Sequence, residues 1–249
     1  MKNTGKNSKG FVSLSFVFIL MTFLSLYFTG VFAIALSQQR DYVRSTCVNE
    51  ASDLQISTLK NARTLFALNK YSTALRRSIT ITKVTLALAT ATMNAPVIAS
   101  TERILNGLYR SQDALDKIQK AIIFKARAEL TAKHSALVIK ANTGQYELAK
   151  PWKYMIKMLG GFSPQRLPSF AVRADSEGGI APNYEWEPDA EKKLTLAYSW
   201  KMGFYTRSEY QTFFKWMNVL STQCSVAPNL KEDKWELTIN VDKSSPNTF

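Results

Sequence analysis

The chain has 249 residues and carries 32 Lys and Arg against 19 Asp and Glu, a net charge of +13, with one histidine and two cysteines. A single histidine excludes any site built on a histidine cluster, and no His/Cys/Asp grouping has metal-ligand spacing. The length admits a membrane segment followed by one domain of ordinary size or two small ones.

The chain opens on a short polar leader, residues 1–10, that carries Lys2, Lys6 and Lys9 and no acidic residue. Then come 26 residues, Phe11 to Leu36, without a charged side chain. As a helix this run rises about 1.5 Å per residue, roughly 39 Å in all, enough to cross a hydrocarbon core of about 30 Å with some tilt. Basic residues beside a span stay on the cytoplasmic side, so the expected topology is a single pass with the N-terminus inside and the tail exported. The competing reading is a cleaved secretory signal, with Gly30 as a break and Ala33 and Ala35 as the small-x-small pair before the cut. A signal core of about 7 to 15 apolar residues is much shorter than this run, which favours a retained span.

Both cysteines, Cys47 and Cys224, fall on the exported side, where a disulfide is permitted. Two separate buried thiols are the alternative. An exported chain with two thiols favours the disulfide, which would tie the membrane-proximal helix to the C-terminal part. Without the three leader lysines the remainder is still +10, a basic exterior that attracts lipid head groups, acidic polysaccharide or nucleic acid. A plain solvated exterior is the favoured reading: Arg76 and Arg77 form the longest basic run, and no Lys/Arg block interleaved with aromatics occurs, which argues against nucleic acid.

From Gln38 to about Leu75 the chain has neither glycine nor proline, and Cys47, Ala51, Leu54, Thr58, Ala62 and Leu65 recur at helical spacing. Nothing separates this helix from the span, so the two are expected to form one rod. Residues 78–92 mix strand-like alternation at Ile79 and Ile81 with the helix formers Leu86 to Ala89, and are read as helix. Asn94, Ala95 and Pro96 supply a turn. Residues 98–141 carry Ile104, Leu108, Leu115, Ile118, Ile122 and Ala126 on one face and Arg103, Arg110 and Lys117 on the other, an amphipathic helix expected to fold back as an antiparallel hairpin over 37–141. His134, near its end, is read as a surface residue.

From 142 to 249 glycine and proline punctuate a loop-rich α+β region. A weak strand is predicted at Phe170–Ala174, and half-buried strands at Leu194–Trp200 and Trp235–Val241. A helix over Thr206–Cys224, with Tyr210, Phe213, Phe214, Met217 and Leu220 on one side, would cover a small antiparallel sheet. The expected fold class is therefore α+β: a transmembrane helix continuing into a long exported helix, a helical hairpin, and a sheet with its covering helix.

The usual catalytic signatures are absent: no Gly-x-Ser-x-Gly elbow, no phosphate-binding glycine loop, no Cys-x-x-Cys. The acidic stretch Glu185, Glu187, Asp189 and Glu191 is the one place for paired carboxylates. Pro182, Trp186 and Pro188 make it read as an exposed loop suited to a contact surface or a cation, and no calcium-loop pattern occurs. Trp200, Phe204, Tyr205, Tyr210, Phe213, Phe214 and Trp216 form either a recognition patch or core, with core favoured by their spacing. No enzyme, cofactor or metal is expected.

The stretch Lys9-Gly10-Phe11-Val12-Ser13-Leu14 resembles the start of a type IV pilin-like protein: a basic leader, a glycine before the cut, and phenylalanine opening an apolar helix. Within that group it is most similar to the minor pseudopilins of tight-adherence pilus systems, the TadE/TadG-like proteins. The resemblance covers roughly the first 50 residues and implies cleavage by a prepilin peptidase between Gly10 and Phe11. It also implies an inner-membrane location, an exported domain, and partners among other pilus or secretion subunits. Where pilins carry a glutamate at the fifth mature position, this chain has Ser15.

Overall fold

The sixty residues from Ser8 to Ala67 contain no proline and form a single helix, α1. In this computed structural model, residues 8–152, 161–175, 179–203, 219–229 and 236–242 are described. They make a mostly helical chain with a long apolar N-terminal helix and a small antiparallel sheet, an α+β fold.

α1 changes character along its length. Leu14 to Phe28 expose nearly every large apolar side chain, whereas from Ala35 onward one face is buried, with Gln39, Val43, Cys47, Ala51, Leu54, Thr58, Ala62 and Leu65 along it and Thr46, Gln55 and Leu59 beside them. The interruption after α1 is one residue, Leu68, which keeps near-helical angles, and α2 (Asn69–Ala91) follows at once. α2 carries the helical path on to Ala91, across the residues 78–92 read as helix. The threonines of α2 cope with the helix by donating to carbonyls one turn back, as Thr82 Oγ1 does to Ser78 O and Thr90 Oγ1 to Leu86 O.

Met93, at φ 52°, and Asn94 turn the chain. Asn94 then caps α3 (Ala95–Ala149) by accepting from Val97 N, with Pro96 in the first turn. α3 packs along both α2 and α1. Asn61 donates to Glu129 at 3.0 Å, Lys140 pairs with Glu50, and the Tyr42 hydroxyl reaches Lys140 O.

The predicted stripe of α3 needs correction. Leu115 and Ala126 are buried, but Ile104 and Ile118 are 58% and 52% exposed. Polar residues take their place because loop backbone covers them: Gln119 Nε2 donates to Pro182 O, and Asp116 accepts from Ala181 N. The helix also continues to Ala149, so His134 sits four turns inside it.

A 3-10 turn, Lys150–Trp152, closes α3. The strands are β1 (Gly161–Pro164), β2 (Val172–Ala174), β3 (Tyr184–Trp186), β4 (Leu196–Gly203), β5 (Val219–Asn229) and β6 (Glu236–Asp242), with a short α4 (Ala190–Leu194) before β4. β1, β4, β5 and β6 form an antiparallel sheet in the order β1-β4-β5-β6, and β2 pairs with β3. Alternation sets the inner face: Leu196, Tyr198 and Trp200 are buried opposite Val226, Cys224 and Thr222.

Gly161, at φ +60°, places β1 beside α3, where a Cβ would lie 2.7 Å from Asn142 Oδ1. The Asn142 amide both accepts from Phe162 N and donates to Phe162 O. The expected helix over Thr206–Cys224 is corrected at its end, where Val219 to Cys224 belong to β5. Its remaining part, 206–218, lies outside the described residues. The long strand follows from its β-branched Thr222 and Val226, which with Cys224 bury one face opposite β4.

Candidate functional site

The helix α1 is long and apolar enough to cross a membrane, the one such helix among the described residues. Thirteen of its large apolar side chains between Leu14 and Ile34 are exposed. At about 1.5–3 kcal/mol for full burial of each, leaving them in water forgoes up to roughly 20–40 kcal/mol, more than the whole stability of a typical domain. The two threonines in this stretch are satisfied internally: Thr22 donates to Phe18 O at 2.8 Å and Thr29 to Ser25 O at 2.7 Å. Gly10 and Phe11 fall in the opening turn of the same helix.

Above the apolar stretch, α1 is fastened to the sheet. Cys47 and Cys224 form a disulfide, their Cα atoms 6.6 Å apart. Gln55 Nε2 donates to Leu194 O and lies 3.5 Å from Val226 O, so polar and covalent links run side by side between α1 and the strands.

The single histidine is part of this interior, a correction to its expected place at the surface. His134 is 6% exposed, with Nδ1 2.8 Å from the Tyr198 hydroxyl and its ring stacked on Tyr198, which in turn stacks on Phe162. Burial pushes the His134 pKa down and holds the Tyr198 phenol well above its ordinary range, so both are neutral near pH 7. A neutral imidazole and phenol stacked in the core hold three elements, α3, β4 and β1, together.

The acidic stretch is likewise engaged. Glu185 pairs with Arg173 at 2.7 Å, and Lys193 bridges Glu187 and Asp189, so three carboxylates face cations of their own chain. The hydrogen bond from Lys193 draws the Asp189 pKa down. Expected as an exposed loop, this stretch is exposed at Glu185, Asp189 and Glu191, but it begins in β3 and ends in α4. No group of three or more His, Cys, Asp or Glu suited to a metal occurs among the described residues. Of the aromatic set, Trp200 is core; Phe204, Tyr205, Tyr210, Phe213, Phe214 and Trp216 lie outside the described residues.

Two arrangements were not read from the sequence. An open groove of about 490 Å³ is lined by Thr73, Arg76, Arg77, Thr80, Ile81 and Asn183. Arg76 holds Asp175 through both guanidinium nitrogens, at 2.9 and 3.2 Å, which lowers the Asp175 pKa. Lower down, the amides of Gln39 and Gln145 are fully buried and make no hydrogen bond among the described residues. The Arg76–Arg77 run was the one sequence signal for the groove, and nothing in the sequence marked a glutamine as interior.

No protein-family model, curated protein or solved structure matches the chain. The class its geometry defines is a long, largely apolar-footed helical rod with a small sheet stapled to its flank.

Proposed function

We propose that this chain is a non-enzymatic, membrane-anchored envelope protein, a pilin-like or pseudopilin-like subunit of a pilus or secretion assembly. In this reading α1 anchors it in a bacterial inner membrane with the leader in the cytoplasm and the remainder in the periplasm or outside. Prepilin-type cleavage falls between Gly10 and Phe11. The hairpin of α2 and α3 and the sheet form the surface offered to other subunits. The observation that carries the proposal is the uninterrupted passage of α1 from a bare apolar stretch into a buried stripe: one rigid element serves as anchor and as structural core. The Cys47–Cys224 disulfide supports the exported location.

The topology is tested in bacterial cells producing the full chain with a C-terminal epitope. The protein should resist alkaline carbonate extraction, and the epitope should be digested when protease is added to spheroplasts. Recovery in the soluble fraction, or an epitope protected until lysis, would sink the proposal.

The groove at Arg76 and Arg77 favours a second reading, a membrane-anchored module that binds acidic polysaccharide, lipid or DNA. It predicts retention of the detergent-solubilised chain on anionic resin that collapses between low and moderate salt. Equal elution of wild type and Arg77→Glu would count against it.

A further inference from the structure

The end of α3 returns to the level at which α1 becomes bare. Tyr42 meets Lys140 O and the Cβ-free flank of Gly144, and the buried Ala35 and Gln39 on α1 are matched by the buried Gln145 and Ala149 on α3. Each helix advances about 1.5 Å per residue, so Lys150 lies within about one turn of the height of Leu36, where the apolar stretch stops.

From this register we propose that the last two turns of α3 are a second membrane contact, seated in the phospholipid headgroup layer beside the span. The inference rests on the proposed anchoring by α1. An interfacial layer adds roughly 5–7 Å on each side of the hydrocarbon core, the rise of about four helical residues. Tyr146 lies about 5 Å above Ala149 by the same rise, and so falls within it. Tyr146 is 66% exposed, and Lys150 below it is also exposed, its ammonium 3.7 Å from Glu147. An aromatic ring and a lysine with a long apolar stem are the side chains that settle at this depth, ring among the headgroups and ammonium in water.

The contact is not an extension of the protein's interior. Tyr146 and Lys150 are exposed, about 100° round α3 from the buried Gln145 and Ala149. Headgroups fit that face because they offer water and phosphate to the polar tips and acyl chain to the stems. The consequence is mechanical: a rod held at α1 alone can tilt freely, whereas a rod with α3 also resting on the surface has a fixed inclination and a fixed outward face.

The test uses the full chain in vesicles of equal parts phosphatidylcholine and phosphatidylglycerol. A single environment-sensitive fluorophore is attached at Phe23→Cys, Tyr146→Cys or Ile118→Cys; the native cysteines are blocked by their disulfide. These positions are exposed, so labelling leaves the core intact. Phe23 should be quenched by spin labels deep in the acyl chains, Tyr146 by headgroup spin labels at least about twofold more than Ile118, and Ile118 chiefly by a water-soluble quencher. A shielded Phe23 with Tyr146 behaving like Ile118 overturns the second contact and leaves the anchor standing. An unshielded Phe23 overturns the anchor and the inference together.

Discussion

Cys47 on α1 and Cys224 on β5 are covalently joined, and Cys224 sits directly across the ladder from Tyr198, whose ring carries His134 of α3. One disulfide thus fastens the point where α1, α3 and the sheet meet. It closes a loop of 177 residues, worth about 5 kcal/mol in the chain-entropy account. Cys47→Ser and Cys224→Ser should each lower the denaturation midpoint sharply and by similar amounts, and the double variant no further. Chemical denaturation of the detergent-solubilised chain measures it. Strict additivity of the two single losses would mean that the thiols act separately.

The buried His134 makes stability depend on pH. Its folded pKa lies below the ordinary value of about 6.5, so the unfolded chain takes up the proton first. The contribution is complete above about pH 6.5 and falls as pH drops toward the folded pKa. Melting temperature should therefore decline on acidification below about 6.5, before carboxylates such as Asp175 and Glu129, whose pKa values are held low by Arg76 and by Lys133, begin to protonate. His134→Gln should flatten this first decline while leaving the more acidic one. An unchanged profile would refute the assignment.

Gln39 and Gln145 bury amides that have no hydrogen-bond partner among the described residues. Each unmade bond costs about 1–3 kcal/mol, and replacing both groups by apolar ones of similar shape is neutral or favourable. The Gln39→Leu, Gln145→Leu double variant should melt above wild type, by an amount scanning calorimetry can resolve. Destabilisation would show that the amides are satisfied in solution, by each other or by water.

Gln55 ties α1 to the C-terminal carbonyl of α4 and to β5. Gln55→Leu removes the donor and leaves two carbonyls without it, so a loss of about 1–3 kcal/mol is expected, against a much smaller change for Lys117→Leu on the open face of α3. Urea denaturation of the two variants side by side decides the point.

The fold was legible wherever periodicity met a uniform environment. Cys47, Ala51 and Leu54 announce their stripe because small and apolar residues recur there at helical spacing and are all buried. Tyr198 and Trp200 declare an inner strand face by simple alternation. Reading failed where polar groups are buried by long-range backbone: Gln119 and Asp116 displaced Ile104 and Ile118 from the interior because the β2–β3 connection supplies their partners, more than sixty residues away in sequence. His134 was misplaced because its partner is also distant in sequence, the Tyr198 hydroxyl sixty-four residues on. The end of the predicted covering helix failed through short-range ambiguity, as the residues from Val219 suit helix and strand alike until β4 and β6 pair with them. Of the candidate site, the apolar stretch and the two cysteines were visible, while the groove at Arg76 needed Asn183 from a distant loop.

The central claim is that this chain is retained in the membrane by α1 after cleavage at the junction of leader and helix. Intact mass analysis of the protein extracted from washed membranes of the producing cells tests it most directly. The account predicts a membrane-bound species that begins at Phe11 and lacks Lys2, Lys6 and Lys9. A membrane-bound chain still carrying its leader would contradict the processing, and a soluble species beginning just after Ala35 would contradict the anchor itself.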